Sequence, residues 1–218
     1  MASGTFHLSG VAFITGAAGI GAATALAFVR SGCTRLALTD IQPLTFTKDA
    51  ILSINPFAEV LTVQGDVSSA SFINSFVSEI KARFSRIDYV VTCAGVLSLL
   101  LRSHETPIEE FDRVAGVNWK GSWLASRAAP KCMLELGQEP LDAHPGQKGA
   151  VVNVASRVGQ VAMPTASPYC ASKAAIINMT RADAIDHVQD GIRINCVCPG
   201  IIRTQFMTAT SELEENTN

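Results

Sequence analysis

Six short runs rich in β-branched and apolar residues recur along this chain, separated by stretches of helical character. They are VAFIT (11–15), RLALTD (35–40), EVLTVQGDV (59–67), IDYVVTCAG (87–95), GAVVNVAS (149–156) and IRINCVCPG (192–200). Several are apolar almost throughout instead of alternating with polar residues. A strand with two apolar faces must be covered on both, which is the situation of parallel strands joined by crossover helices. The pattern predicts an α/β fold with a doubly wound parallel sheet.

Helices are expected at 20–31, 68–84, 108 to about 136, and 168 to about 187. In the second, Phe72, Phe76, Ile80 and Phe84 recur every four residues and read as a core-packing stripe. The segment GQEPLDAHPGQKG (137–149) carries the Pro and Gly of a surface loop. No internal repeat or linker divides the chain, and 218 residues suit one large domain.

Charge and cysteine usage narrow the partners. A net charge of -2 with 17% charged residues offers no basic surface for nucleic acid, so a small molecule is the expected partner. Cys33, Cys93, Cys132, Cys170, Cys196 and Cys198 form no CxxC pair and no metal spacing, which predicts reduced, mostly buried thiols in a cytoplasmic protein without a metal. Residues 11–29 run without a charge, close to the length of a membrane span. Gly16, Gly19 and Gly21 inside the run argue instead for a buried strand, a turn and a buried helix.

That turn, TGAAGIG (15–21), is the first chemical signal. Glycine removes the Cβ atoms that would hold a backbone away from a pyrophosphate. The helix start behind it offers free N–H groups and a favourable dipole. A tight turn that merely packs helix on strand remains the competing reading. A second signal lies in YCASK, where Tyr169 and Lys173 stand at i and i+4 on one face of an expected helix. Ser156 precedes Tyr169 by thirteen residues at a strand end, and Asn118 lies in VNWKG. Each has a bland alternative: a core tyrosine, a surface lysine, a strand-end cap and a turn or helix cap.

Taken in order, the glycine turn, Asn118, Ser156, Tyr169, Lys173 and PGIIRT (199–204) resemble the short-chain dehydrogenase/reductase family across nearly the whole chain. The resemblance implies a Rossmann-type sheet of strand order 3-2-1-4-5-6 in a single domain over 1–210, followed by a polar tail at 211–218. The glycine spacing itself is similar to the TGxxGxxG of the family's extended branch, with Ala22 in the last glycine place, while the rest of the chain resembles the ordinary branch. By resemblance Tyr169 is the acid/base, Lys173 activates it and holds the nicotinamide ribose, Ser156 bonds the substrate oxygen, and Asn118 supports a proton-relay water. Tyrosine titrates near pH 10, and a lysine ammonium one turn away is expected to favour its phenolate.

The resemblance also places a dinucleotide against Gly16, Gly19, Ile20, Gly21, Asp66, Val67, Cys93, Ala94, Gly95, Ile202 and Thr204, besides Tyr169 and Lys173. Cys93 stands where the family has an asparagine, and a thiol replaces that amide poorly. Asp40 ends the second strand, 24 residues after Gly16, where a carboxylate meets the adenine ribose and repels an added phosphate. NAD is therefore favoured and NADP possible, since Arg35 is nearby in sequence; Asp40 opening a turn before Pro43 is the other reading.

Family members continue beyond the Pro-Gly loop with a lid and a final strand, both largely missing here, which would leave the sixth strand as an edge. The expected activity is an NAD(P)-dependent oxidoreductase interconverting a secondary alcohol and a ketone. A non-catalytic dinucleotide-binding relative and a sugar-nucleotide epimerase or dehydratase are the alternatives. VLSLLLR (96–102) and VGQVAMPTAS (158–167) would flank an apolar or cyclic substrate, and Trp119, Trp123, Met133 and Leu134 would serve either a homo-oligomer contact or the core.

Overall fold

The computed structural model describes residues 7–141 and 144–202. Six parallel strands form one sheet: β1 (Val11–Thr15), β2 (Arg35–Asp40), β3 (Glu59–Gln64), β4 (Tyr89–Thr92), β5 (Gly149–Val154) and β6 (Ile192–Val197). Their order is β3-β2-β1-β4-β5-β6, as expected for the doubly wound fold. All five residues of β1 and all four of β4 are buried, so their apolar character follows from cover on both faces.

Two cores lie on the two faces, and the strand period of two divides them. Val11 and Phe13 of β1 point into the larger core with α3 (Ala70–Phe84) and α5 (Ser122–Glu135), where the rings of Phe13 and Phe76 meet edge to face at 5.5 Å. Ile14 points the other way, into a core shared with α1 (Gly19–Arg30). Helix α3 starts at Ser69, whose hydroxyl accepts from the Phe72 amide. It buries Ile73, Phe76, Val77, Ile80 and Phe84, a wider stripe than the expected four-residue one, with Phe72 at its margin.

Two helical regions depart from expectation. Residues Thr45–Ile54 form α2, where the sequence suggested only a turn after Asp40. Its buried stripe is only Thr47 and Ile51, so the apolar period is nearly absent from the sequence. The long helix expected from residue 108 is α4 (Ile108–Val114), a wider π-helical segment (Ala115–Gly121) and α5. A π turn changes no residue type that sequence periodicity could register.

Helix α6 (Ser167–His187) begins with Pro168 in its first turn, where a missing N–H is harmless, and packs against β6. Strand β6 is a sheet edge among the described residues, and its burial alternates: Ile192 and Ile194 are covered, Arg193 and Asn195 exposed. No helix among the described residues is long and apolar enough to cross a membrane. All six cysteines are free, but only Cys33 and Cys132 are buried; the other four are partly exposed, against the expectation of mostly buried thiols. Thr204 and the expected tail at 211–218 lie outside the described residues.

Candidate active site

The glycine turn joins β1 to α1 with positive φ at Gly16 (63°) and Gly19 (48°), a region that disfavours a Cβ. A side chain at Gly16 would collide with the Ala94 backbone, and one at Gly21 with the Gly16 carbonyl. The backbone of Cys93–Ala94 thus closes directly onto the turn, tied by the Cys93 amide to the Thr15 carbonyl at 3.0 Å. Ala18 precedes α1 without any side-chain cap, so the N–H groups of the first turn have no side-chain acceptor. This cradle fits a pyrophosphate, which would meet bare backbone and a helix N-terminus.

Asp40 and Thr47 set the shape of the turn. Asp40 Oδ2 accepts from the Ala18 amide at 3.1 Å, and its Oδ1 from Gln42 at 2.9 Å. The Thr47 hydroxyl donates to the Ala17 carbonyl at 3.1 Å, a contact the sequence did not signal because α2 itself was not legible. Arg35 lies at the opposite end of β2, paired with Val11 while Thr39 pairs with Thr15. Five strand rises put it about 16 Å from Asp40, so it is no counter-charge for the turn.

Asp66 closes the turn into α3, accepting from the Ser68 amide and hydroxyl, both at 2.8 Å. Its neighbour Val67 is buried in the larger core. Cys93 hydrogen-bonds with the Thr24 side chain and sits beneath the glycine turn, where burial pushes its thiol up to about 12. It fills the place of an amide as a neutral, packed group. Ile20 lies in the first turn of α1, its carbonyl accepting from the Thr24 hydroxyl at 2.8 Å.

The four candidate catalytic residues come from three places in the fold, the π segment, the end of β5 and α6, and converge. Asn118 sits in the π segment and is fully buried. Its Nδ2 donates to the Val96 carbonyl (2.9 Å) and to the Ser172 hydroxyl (3.0 Å), and its Oδ1 accepts from the Val96 amide at 2.7 Å. Both amide donors are therefore used, so its side chain fastens the loop after β4 to α6 and offers no free donor to a relay water. A Cβ on Gly95 would lie 3.3 Å from Asn118 Oδ1 and 3.5 Å from Lys173 Nζ, which places all three together. Glu110 and Arg113 of α4 extend this fastening. Glu110 accepts from the Leu99 amide (2.7 Å), while Arg113 bonds the Leu97 carbonyl (2.8 Å) and the Glu110 carboxylate. Read as sequence, EEFDR is a solvated charge run and carries no sign of this role.

Lys173 is 4% exposed. Its ammonium donates to the Val154 carbonyl at 2.9 Å, and burial lowers its pKa to about 8. Nζ lies 5.8 Å from the centroid of the Tyr169 ring. Tyr169 hydrogen-bonds with Ser156, at the end of β5, and burial raises its pKa against the lowering effect of that bond. In the free protein desolvation is the largest influence on Tyr169, and it favours the neutral phenol. The Ser156 hydroxyl also accepts from Val158 at 3.4 Å, and the Arg157 amide donates to the Pro199 carbonyl at 2.9 Å. Ile202 is exposed beyond that loop.

A family model described as short chain dehydrogenase matches residues 10–215. The chain is 36% identical over 201 residues to a 2-(R)-hydroxypropyl-CoM dehydrogenase of Xanthobacter autotrophicus, covering 90% of this chain and 76% of that one. It is 35% identical over 197 residues to an NAD-dependent glycerol dehydrogenase of Listeria innocua, covering 90% and 72%. The crystal structure of a levodione reductase superimposes with a TM-score of 0.85 at 33% identity, covering 93% of this chain and 76% of that one.

Proposed function

Because this chain belongs to the short-chain dehydrogenase family and is an oxidoreductase of CH–OH groups, we propose that Tyr169 is its acid/base, interconverting a secondary alcohol and a ketone with NAD. The observation that carries the reading is the convergence of Ser156, Tyr169 and a buried Lys173 beside Gly95 and the glycine cradle. The bound nicotinamide supplies the hydride acceptor or donor. Gly16, Gly19, Ile20 and Gly21 would hold its pyrophosphate, with Asp40, Asp66 and Val67 around the adenosine half. Cys93, Ala94, Gly95 and Lys173 would line the nicotinamide half, and Ile202 and Thr204 would lie beyond it.

In the reducing direction Tyr169, a neutral phenol, donates its proton to the carbonyl oxygen, and the Ser156 hydroxyl bonds the same oxygen and stabilises the charge developing there. In the oxidising direction Tyr169 must first become a phenolate. Lys173, largely protonated at neutral pH, supplies the nearby positive charge that stabilises it. Asn118 positions the loop wall through Val96.

The dinucleotide choice rests on Asp40, whose carboxylate opposes an added 2′-phosphate, on the distance of Arg35 from the site, and on similarity to an NAD-dependent relative. Leu99, Leu100 and Val161, all exposed on the two loops beside the site, favour an apolar or cyclic alcohol. Trp119 (48% exposed) and Trp123 (42%) on the outer face of the π segment and α5 favour association with a second copy, whereas Met133 is fully buried and belongs to the core.

Titration with NADH and NADPH by nicotinamide fluorescence, followed by turnover of a panel of cyclic and linear secondary alcohols, tests the proposal. Tyr169→Phe is expected to keep NADH binding and lose turnover by about 1,000-fold or more, since it removes the acid/base alone. Comparable turnover by Tyr169→Phe refutes the assignment. Wild-type protein that binds NADH and turns over no alcohol or ketone supports the non-catalytic alternative.

A further inference from the structure

Cys196 is the second-to-last residue of β6 and Cys198 lies just beyond the strand. Two residues apart in extended backbone, their side chains leave the chain on the same side. Both pack against Ala155, Ile176 and Ile177, and the Cys196 thiol hydrogen-bonds with the Cys198 thiol and the Thr180 hydroxyl. Two strand rises of about 3.3 Å separate their Cα atoms by about 6.6 Å. A disulfide closes over Cα separations of about 4.4–6.8 Å, most often about 5.5–6 Å. Neither cysteine is fully buried, so a small oxidant can reach them. Cys198 also lies near enough to Lys173 to act on its charge, which sets the pair at the border of the catalytic group.

We propose that Cys196 and Cys198 form a redox modification site, closed to a disulfide by an oxidant of the hydroperoxide class, and that closure weakens dinucleotide binding. In the first step the Cys198 sulfur attacks the peroxide, whose O–O bond breaks. This leaves Cys198 as a sulfenic acid, with the alcohol (water, for hydrogen peroxide) as leaving group. In the second step the Cys196 sulfur attacks the sulfenic sulfur, the S–S bond forms, and hydroxide leaves with the Cys196 proton as water. Two thiols are oxidised by two electrons and one peroxide is reduced. The bridge sits near the long end of the permitted range, so it draws the strand end inward and is readily reduced again. Residue 199 follows directly, and its carbonyl is the partner of the Arg157 amide beside Ser156. Closure therefore pulls on the contact between the Ser156 turn and the Pro-Gly loop. The consequence for binding rests on the reading of this site as a dinucleotide site.

The test treats reduced wild-type protein with hydrogen peroxide and compares intact mass, peptide maps and NADH titrations before and after. Loss of two hydrogen atoms, a Cys196–Cys198 linked peptide and a roughly tenfold weaker NADH affinity that dithiothreitol restores are expected. Cys196→Ser is expected to bind NADH when reduced and to keep that affinity after peroxide. The proposal is overturned if no linked peptide forms, if it forms and NADH affinity is unchanged, or if Cys196→Ser loses affinity as wild type does, which would show that closure to the disulfide is not the cause. Reduced wild type that binds no NADH refutes the dinucleotide reading and with it the effect of closure, while the peptide map still decides whether the disulfide exists.

Discussion

Lysine 173 pays for its position in stability, and replacing it with methionine measures how much. In the free protein burial lowers its pKa from the ordinary lysine value of 10.5 to about 8. An ammonium that loses protons more readily in the fold than in the unfolded chain is held there at a disadvantage. The gap amounts to about 3 kcal/mol. Between pH 8 and 10.5 the unfolded chain binds more protons than the folded one, so wild-type stability rises with pH through that window. Below it both states are protonated, and the full penalty applies at neutral pH. Lys173→Met has nearly the same length and no charge, but it gives up the charged bond to the Val154 carbonyl, a loss of about 1.5–3 kcal/mol. The balance predicts a variant about 1 kcal/mol more stable at pH 7, melting about 2–4 °C higher, although unable to support turnover. Thermal and urea unfolding without nucleotide at pH 7 and pH 9, followed by circular dichroism, gives the comparison, and the advantage should shrink at the higher pH. A variant that melts below wild type at pH 7, or a difference that does not change with pH, refutes the argument.

Two further expectations concern charge and association. Asp40→Ser keeps a hydrogen-bond acceptor at the glycine turn and removes the carboxylate, so the NADPH-to-NADH affinity ratio should rise about tenfold in fluorescence titration; an unchanged ratio places cofactor choice elsewhere. Replacing Trp119 and Trp123 together with glutamate puts two charges on the exposed outer face of the π segment and α5, and sedimentation should then show a smaller species than wild type. Identical sedimentation of the two proteins removes that face as a contact.

Much of the fold was legible because parallel strands write their burial into the sequence. VAFIT and YVVT are apolar almost throughout, and the structure covers both faces of each. Helix α2 was not legible, since two buried residues in ten leave no period to find. At the site, residue identity and order brought Ser156, Tyr169 and Lys173 to notice, but their electrostatics depend on solvent exclusion, which no spacing records. A lysine four residues from a tyrosine looks like an activator in sequence. In the fold it is itself desolvated, and Tyr169 is raised by its own burial. The Glu110–Arg113 anchor was invisible because its partners are backbone atoms of Leu97 and Leu99.

The π segment divides labour along one continuous stretch of helix. Before it, Glu110 and Arg113 of α4 face the loop after β4; within it, Asn118 reaches Val96 on one side and Ser172 on the other; after it, Ala125, Ala129, Cys132 and Met133 of α5 turn into the sheet core. A wider turn acts as a phase shifter, absorbing the angular mismatch between the two faces within seven residues. Here chain length carries information that composition does not. Winding the same seven residues at ordinary helical pitch would rotate everything before them by about 100° relative to α5, turning Glu110 and Arg113 away from the loop even with every side chain kept.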